Sequence, residues 1–174
     1  MLEEVPDYLE TVAAWRVWLV VEDRGALRLA SVLYPTLWKP LLAMTARCDR
    51  AVDAPAHLPP HDRCSCGLYA SATLDGAVSY FDGCGPNSIR AVYRVVGRVS
   101  LWGRVIEGDR GWRSSHAYPA RIYVPEGCIG GYGSLVADEI AFALADYGVP
   151  IEIVDAHTKG RSAKLVLDEP RLAA

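Results

Sequence analysis

The chain has 174 residues, enough for one good hydrophobic core and barely enough for two small ones. About half of it is apolar (51%) and 22% is charged, the balance of a folded domain and not of a disordered one. With 18 basic and 21 acidic residues the net charge is −3, so no global basic field draws it to nucleic acid or anionic lipid.

The acidic start MLEEVPDYLE and the short apolar run VWLVV do not make a signal peptide, and no run approaches a membrane span. A cytoplasmic location without membrane attachment is therefore expected. The five cysteines (Cys48, Cys64, Cys66, Cys84, Cys128) agree, because an odd, closely spaced set suits metal or redox chemistry better than a disulfide framework. Lys39, Lys159 and Lys164 are the lysines. The arginines that outnumber them are spread along the chain, as a composition bias would leave them, not gathered in a patch.

In chain order, YLETVAA near the N-terminus is expected to be a short helix. WRVWLVV (15–21) and LRLASVL (27–33) are strand-like and flank the polar turn EDRGA, which predicts a hairpin. YPTLWKP carries two prolines and should turn the chain. From Cys48 to Cys66 the sequence is rich in Pro, Asp and His and poor in large apolar residues. That predicts a loop of about twenty residues, which needs something other than apolar burial to order it. LDGAVSYFDG is expected to be a second short helix.

AVYRVVGRVSLWGRVIE (91–107) alternates cleanly. Tyr93, Val95, Val99, Leu101 and Val105 share one face, and Gly97 and Gly103 are natural places for a bend. The turn EGDRG and the run WRSSHAYPARIYV complete a second hairpin, with Pro119 pointing to an edge or a break in its second strand. The long helix is predicted at about 134–147, capped by Ser134, with Val136, Ile140, Leu144 and Tyr147 at helical spacing and Gly148 at its end. IEIVD (151–155) and AKLVLD (163–168) predict two last strands. Together these elements predict an α+β protein. It would be a single domain over 1–174 on a mostly antiparallel β-sheet or partly open barrel, with helices to one side or end and a metal-ordered loop at about 48–66.

Cys48, His57, His61, Cys64 and Cys66 concentrate thiol and imidazole donors in that loop. Their chemistry suits zinc, which takes four such ligands in a tetrahedron. The C-x-C spacing and the remote Cys48 depart from a standard finger. Buried inert cysteines, or a reactive thiol pair, are the alternatives. Cys48, His57, Cys64 and Cys66 are the expected zinc ligands, with His61, Cys84 or His116 as possible replacements. Metal binding would supply the free energy that so polar a loop lacks.

Two other constellations stand out. Trp102, Arg104, Trp112, Arg113 and His116 gather on the second hairpin, and Trp and Arg are the residue types enriched at binding hot spots. The plainer reading is core tryptophans with solvated arginines outside. The run GCIGGYGS before the long helix has the placement of a nucleotide-binding turn, but its glycines do not space as G-x-G-x-x-G. A surface loop is expected there. No catalytic motif is evident. The sequence therefore predicts a zinc-stabilised binding protein that presents the Trp/Arg hairpin to a partner, a protein or small ligand sooner than nucleic acid. A zinc-dependent or nucleotide-binding enzyme and a structural homo-oligomer subunit are the rival readings.

Overall fold

The computed structural model describes residues 8–33, 36–48, 57–82, 91–126, 136–159 and 162–165. Strand β1 (Tyr8–Asp23) turns through Arg24 and Gly25 into β2 (Ala26–Ser31), with Asp23 paired to Ala26. Both turn residues have positive φ, 52° and 80°, the mirror-image turn whose twist suits a two-residue hairpin. The short strands β3 (Leu37–Trp38), β4 (Met44–Thr45) and β5 (Leu68–Ser71) follow, and then helix α1 (Leu74–Asp82). The long strands β6 (Ala91–Gly108) and β7 (Gly111–Glu126) form the second expected hairpin. Helix α2 (Ala137–Leu144), β8 (Ile151–Lys159) and β9 (Ser162–Leu165) complete the described chain.

These strands make a nine-stranded mixed sheet that is not a closed barrel. β6 lies between β1 and β7. β5 also reaches both, pairing with β7 through Leu68–Ser71 but with β1 at the single pair Trp15–Ser71. Most pairings are antiparallel, as expected, but β7 and β8 are parallel and joined through α2. A strand already in a hairpin still had a free edge to offer. At Pro119 the second strand is interrupted as expected: the proline stands opposite Val99 at a register shift, in the gap between the stretch of β7 that pairs with β4 and the stretch that pairs with β8.

Three further expectations are corrected. YLETVAA is not a helix but the first part of β1, where pairing to β6 from Gly103 to Val99 overrides a weak local helix preference. The helices are not on one side. Even positions of β1 (Ala14, Trp18, Val20) join a core cluster with Ile140 and Leu144 of α2, while odd positions (Trp15, Val17, Leu19, Val21) join a second cluster with Ala77 and Val78 of α1. A strand buried on both faces is apolar throughout, and WRVWLVV is nearly so. The predicted long helix is short: α2 has 8 residues, and the chain tightens into a 3₁₀ turn over Ala145–Tyr147. That turn still buries Tyr147, three residues after Leu144, and Gly148 ends it in the left-handed conformation at φ 66°. Ser134 and GCIGGYGS lie outside the described residues.

Tyr147 ties the helical end to the sheet. Its hydroxyl accepts from the Leu29 backbone N–H at 2.8 Å and donates to the Trp38 carbonyl, while its own carbonyl accepts from the Tyr118 hydroxyl at 2.8 Å. Burial pushes its phenol up to about 12. The unfolded value is about 10, so the folded state favours the neutral phenol. That stabilisation is complete below pH 10 and is lost as the pH rises from 10 through 12. Tyr147→Phe should cost about 1–3 kcal/mol, because it leaves a buried N–H and a buried carbonyl without their partner. In thermal melts the wild type should lose stability between pH 10 and 12 more steeply than the variant; parallel curves would show that Tyr147 does not titrate with unfolding.

Candidate metal centre

The loop that carries the cysteines is fastened at both ends to one strand. Before Cys48, β4 pairs with Ala117 and His116 of β7, and the Ala46 N–H donates to the Ser115 carbonyl at 2.8 Å. After Cys66, β5 pairs with β7 from Ser114 to Gly111. The backbones of β5 and β7 come so close that a Cβ on Gly111 would stand 2.0 Å from the Ala70 carbonyl oxygen, which any larger residue would have to displace. β7 thus sets Cys48 beside Cys64 and Cys66, although the sequence separates them by most of the loop.

The ligand atoms of Cys48, His57, Cys64 and Cys66 all lie within 4.8 Å of one another. Cys48 Sγ stands 3.7 Å from Cys64 Sγ, and Cys66 Sγ stands 3.4 Å from His57 Nε2. A tetrahedron around zinc, with bonds of about 2.3 Å to sulfur and 2.0 Å to nitrogen, has S···S edges of about 3.8 Å and S···N edges of about 3.5 Å. Both measured separations fit those edges. The sulfurs are far outside disulfide bonding distance, which is about 2.05 Å. The four residues are therefore near enough to hold one metal ion, and each is partly buried.

Of the two loop histidines, His57 is the one brought to the thiols. His61 packs its ring on His57 with centroids 4.7 Å apart, and its Nδ1 accepts from the Arg63 N–H at 3.3 Å. The two nearby thiols differ. Above all, the Cys66 backbone N–H draws the Cys64 thiol down to about 7, whereas burial pushes the Cys66 thiol up. A thiol that ionises near neutrality is ready to serve as a thiolate ligand.

The residues of the Trp/Arg hairpin do not share one surface. Trp102 and His116 face each other across β6 and β7 with nearly parallel rings, 6.0 Å apart at 17°, and His116 Nδ1 lies 2.9 Å from Ser115 Oγ. The Arg104 backbone N–H donates to Ser115 Oγ at 3.0 Å. Trp112 packs on the α2-side core. Arg113, its neighbour on the strand, turns to the metal loop. There a single guanidinium nitrogen, Nη1, donates to the carbonyls of His61 (3.4 Å), Cys66 (3.1 Å) and Cys64. Tyr69 extends the same fastening: its hydroxyl donates to the Ser65 carbonyl at 2.8 Å, and Arg113 stands 5.9 Å over its ring. Gly67, at φ 123°, leaves room for this, since a Cβ there would come within 3.1 Å of Arg113 and of Pro60. The sequence shows Arg113 as a polar position on a strand, and nothing in it says that the position lies under three loop carbonyls.

The loop also walls an open groove of about 1210 Å³. Cys48, Ser65 and Cys66 are among its lining residues, as are Trp112 and the 106–110 hairpin tip. Among the described residues, no helix is long and apolar enough to cross a membrane. Comparison with family models, with curated proteins and with solved structures gives no match.

Because Arg113 orients the loop backbone and touches no ligand atom in the hydrogen bonds described, its removal should loosen metal binding without abolishing it. Arg113→Ala should weaken metal affinity about 10- to 100-fold, the usual size for a group that orients ligands. Arg113→Lys should retain most of it, since one ammonium nitrogen can donate three times. Competition against a chelator of known affinity measures both. Equal affinity in Arg113→Ala and wild type would mean that the carbonyl contacts do not organise the ligands.

Proposed function

We propose that this chain is a zinc-stabilised binding protein, in which Cys48, His57, Cys64 and Cys66 hold a structural zinc and the loop they close forms one wall of the partner site. The observation that carries the reading is the fit of the S···S and S···N separations, 3.7 and 3.4 Å, to the edges of a zinc tetrahedron. Three thiolates and an imidazole are a donor set zinc favours, and four protein ligands leave no position for a water nucleophile. This supports an architectural metal over a catalytic one.

The groove beside the loop is the better candidate for recognition than the hairpin as a whole. Of the five hairpin residues, Trp112 and Arg113 line it, and the exposed apolar side chains of Leu33, Leu42 and Tyr69 add to its surface. Exposed charges of both signs stand on it: Lys39, Arg47 and Arg110 against Glu107 and Asp109. Apolar surface with mixed charge suits a protein segment or small organic ligand, whereas a polyanion would call for one sign.

Elemental analysis of protein purified without chelators should give one zinc per chain. Less than about half an equivalent would overturn the reading. Stripping the zinc, or replacing Cys64 or Cys66 with Ser, should lower the melting temperature by more than about 5 °C, as a loss of a few kcal/mol does in a chain of this size. Backbone hydrogen exchange should then rise in residues 57–69 while β1 and β6 stay protected. Uniform loss of protection would make the metal a support of the whole fold and not of the groove wall.

A further inference from the structure

We propose that Cys48 and Cys64 form a redox modification site, at which a peroxide joins the two sulfurs in a disulfide and the metal is released. The release rests on the zinc reading above; the choice of partners rests on geometry alone.

The sequence pattern C-x-C sets Cys64 beside Cys66, and the structure brings a third thiol, Cys48, to them, with all the ligand atoms within 4.8 Å of one another. Cys64 Sγ is 3.7 Å from Cys48 Sγ, and Cys66 Sγ is turned to His57 Nε2 at 3.4 Å. Closing 3.7 Å to a bond of about 2.05 Å takes a sulfur displacement that side-chain rotation can supply. Both cysteines are partly exposed, and Cys48 lines the open groove, so a small oxidant can reach the pair. All three loop cysteines are free thiols.

The chemistry needs one equivalent of hydrogen peroxide or an organic hydroperoxide. A thiolate of the pair attacks a peroxide oxygen, the O–O bond breaks, a sulfenic acid forms and hydroxide leaves from hydrogen peroxide, or the alkoxide from an organic hydroperoxide. The second thiolate attacks the sulfenyl sulfur, the S–O bond breaks, the S–S bond forms and hydroxide leaves. Two thiolates are thereby oxidised by two electrons and one peroxide is reduced. Cys66 and His57 alone remain as donors, half of a zinc site, so the ion dissociates. The loop stays closed, because the disulfide spans the same 16-residue separation that the metal did. Oxidation exchanges a metal cross-link for a covalent one and frees the half of the site next to β5.

The zinc-loaded full chain should be treated with hydrogen peroxide at one to a few equivalents. Zinc release is followed with a chromogenic chelator, and the products are mapped without reduction after thiol alkylation. The expected result is loss of zinc in step with a Cys48–Cys64 link, a mass decrease of about 2 Da for that one bond, and recovery on adding dithiothreitol and zinc. Cys66→Ser should form the same link, and Cys48→Ser should instead leave a sulfenic acid at Cys64 that dimedone traps. A Cys64–Cys66 link, a link through Cys84 or Cys128, sulfinic acid without a link, or a link with zinc retained would overturn the proposal. A chain that carries no zinc as isolated but still forms the Cys48–Cys64 link would sink the zinc reading while leaving the thiol pair standing.

Discussion

Everything distinctive about this chain depends on one short stretch of β7, residues 111–117. On one edge it pairs with β6, and on the other it takes β5 and then β4. Those two short strands are the two ends of the metal loop, so ordinary ladder hydrogen bonds bring Cys48 to Cys64 and Cys66. From the same stretch Arg113 reaches three carbonyls of the loop with one nitrogen. The ligands are thus gathered by backbone pairing and held by a charged side chain before any metal contributes. A charge-assisted hydrogen bond is about twice as strong as a neutral one, and the two N–H groups of Nη1, shared among three carbonyls, define the loop path closely.

The division of labour follows from composition. The sheet is buried on both faces by apolar residues alternating along β1, with α2 on one side and α1 on the other. The loop has no such resource. Apart from Leu58, which is exposed, the described residues from 57 to 67 include no large aliphatic or aromatic side chain. A segment of that kind has little hydrophobic gain to set against its conformational entropy. Backbone hydrogen bonds are one remaining means and are present here; a cross-link is the other, and Cys48, His57, Cys64 and Cys66 are near enough to one another for a metal ion to supply it.

How much of this could be read from the sequence varies with the range of the interaction. Both hairpins were legible, because period-two alternation and turn residues such as Arg24–Gly25 are local signals. Gly148 as the end of the helical segment was legible for the same reason. The donor set was legible too, since five thiol and imidazole side chains crowd into the stretch from 48 to 66. What lies between distant segments was not. YLETVAA has the composition of a helix and becomes strand because β6 lies beside it. The parallel pairing of β7 with β8 needs a three-dimensional neighbour, and so does the partition of the Trp/Arg hairpin into a stacked Trp102–His116 pair, a core-packed Trp112 and a loop-clasping Arg113. Alternation says that a side chain leaves the core face; it does not say what it meets there.

The same separation of core from loop bears on what a metal would do there. Trp18, Trp38, Leu29 and Tyr147 are packed around β1, β2 and the 3₁₀ turn, and none of them is part of the loop. A metal bound at the loop would therefore add its free energy to the local opening of the loop as well as to global unfolding, and local equilibria span the range from near zero to the full stability. Losing such an ion by dilution, chelation or oxidation of its thiols would then change one wall of the groove while the sheet persists. A metal buried among Trp18 and Leu29 would have no such freedom, since its loss would unfold the chain. With the four candidate ligands on a polar loop fastened to β7, metal occupancy would be a property of the groove wall, separable from the fold that carries it.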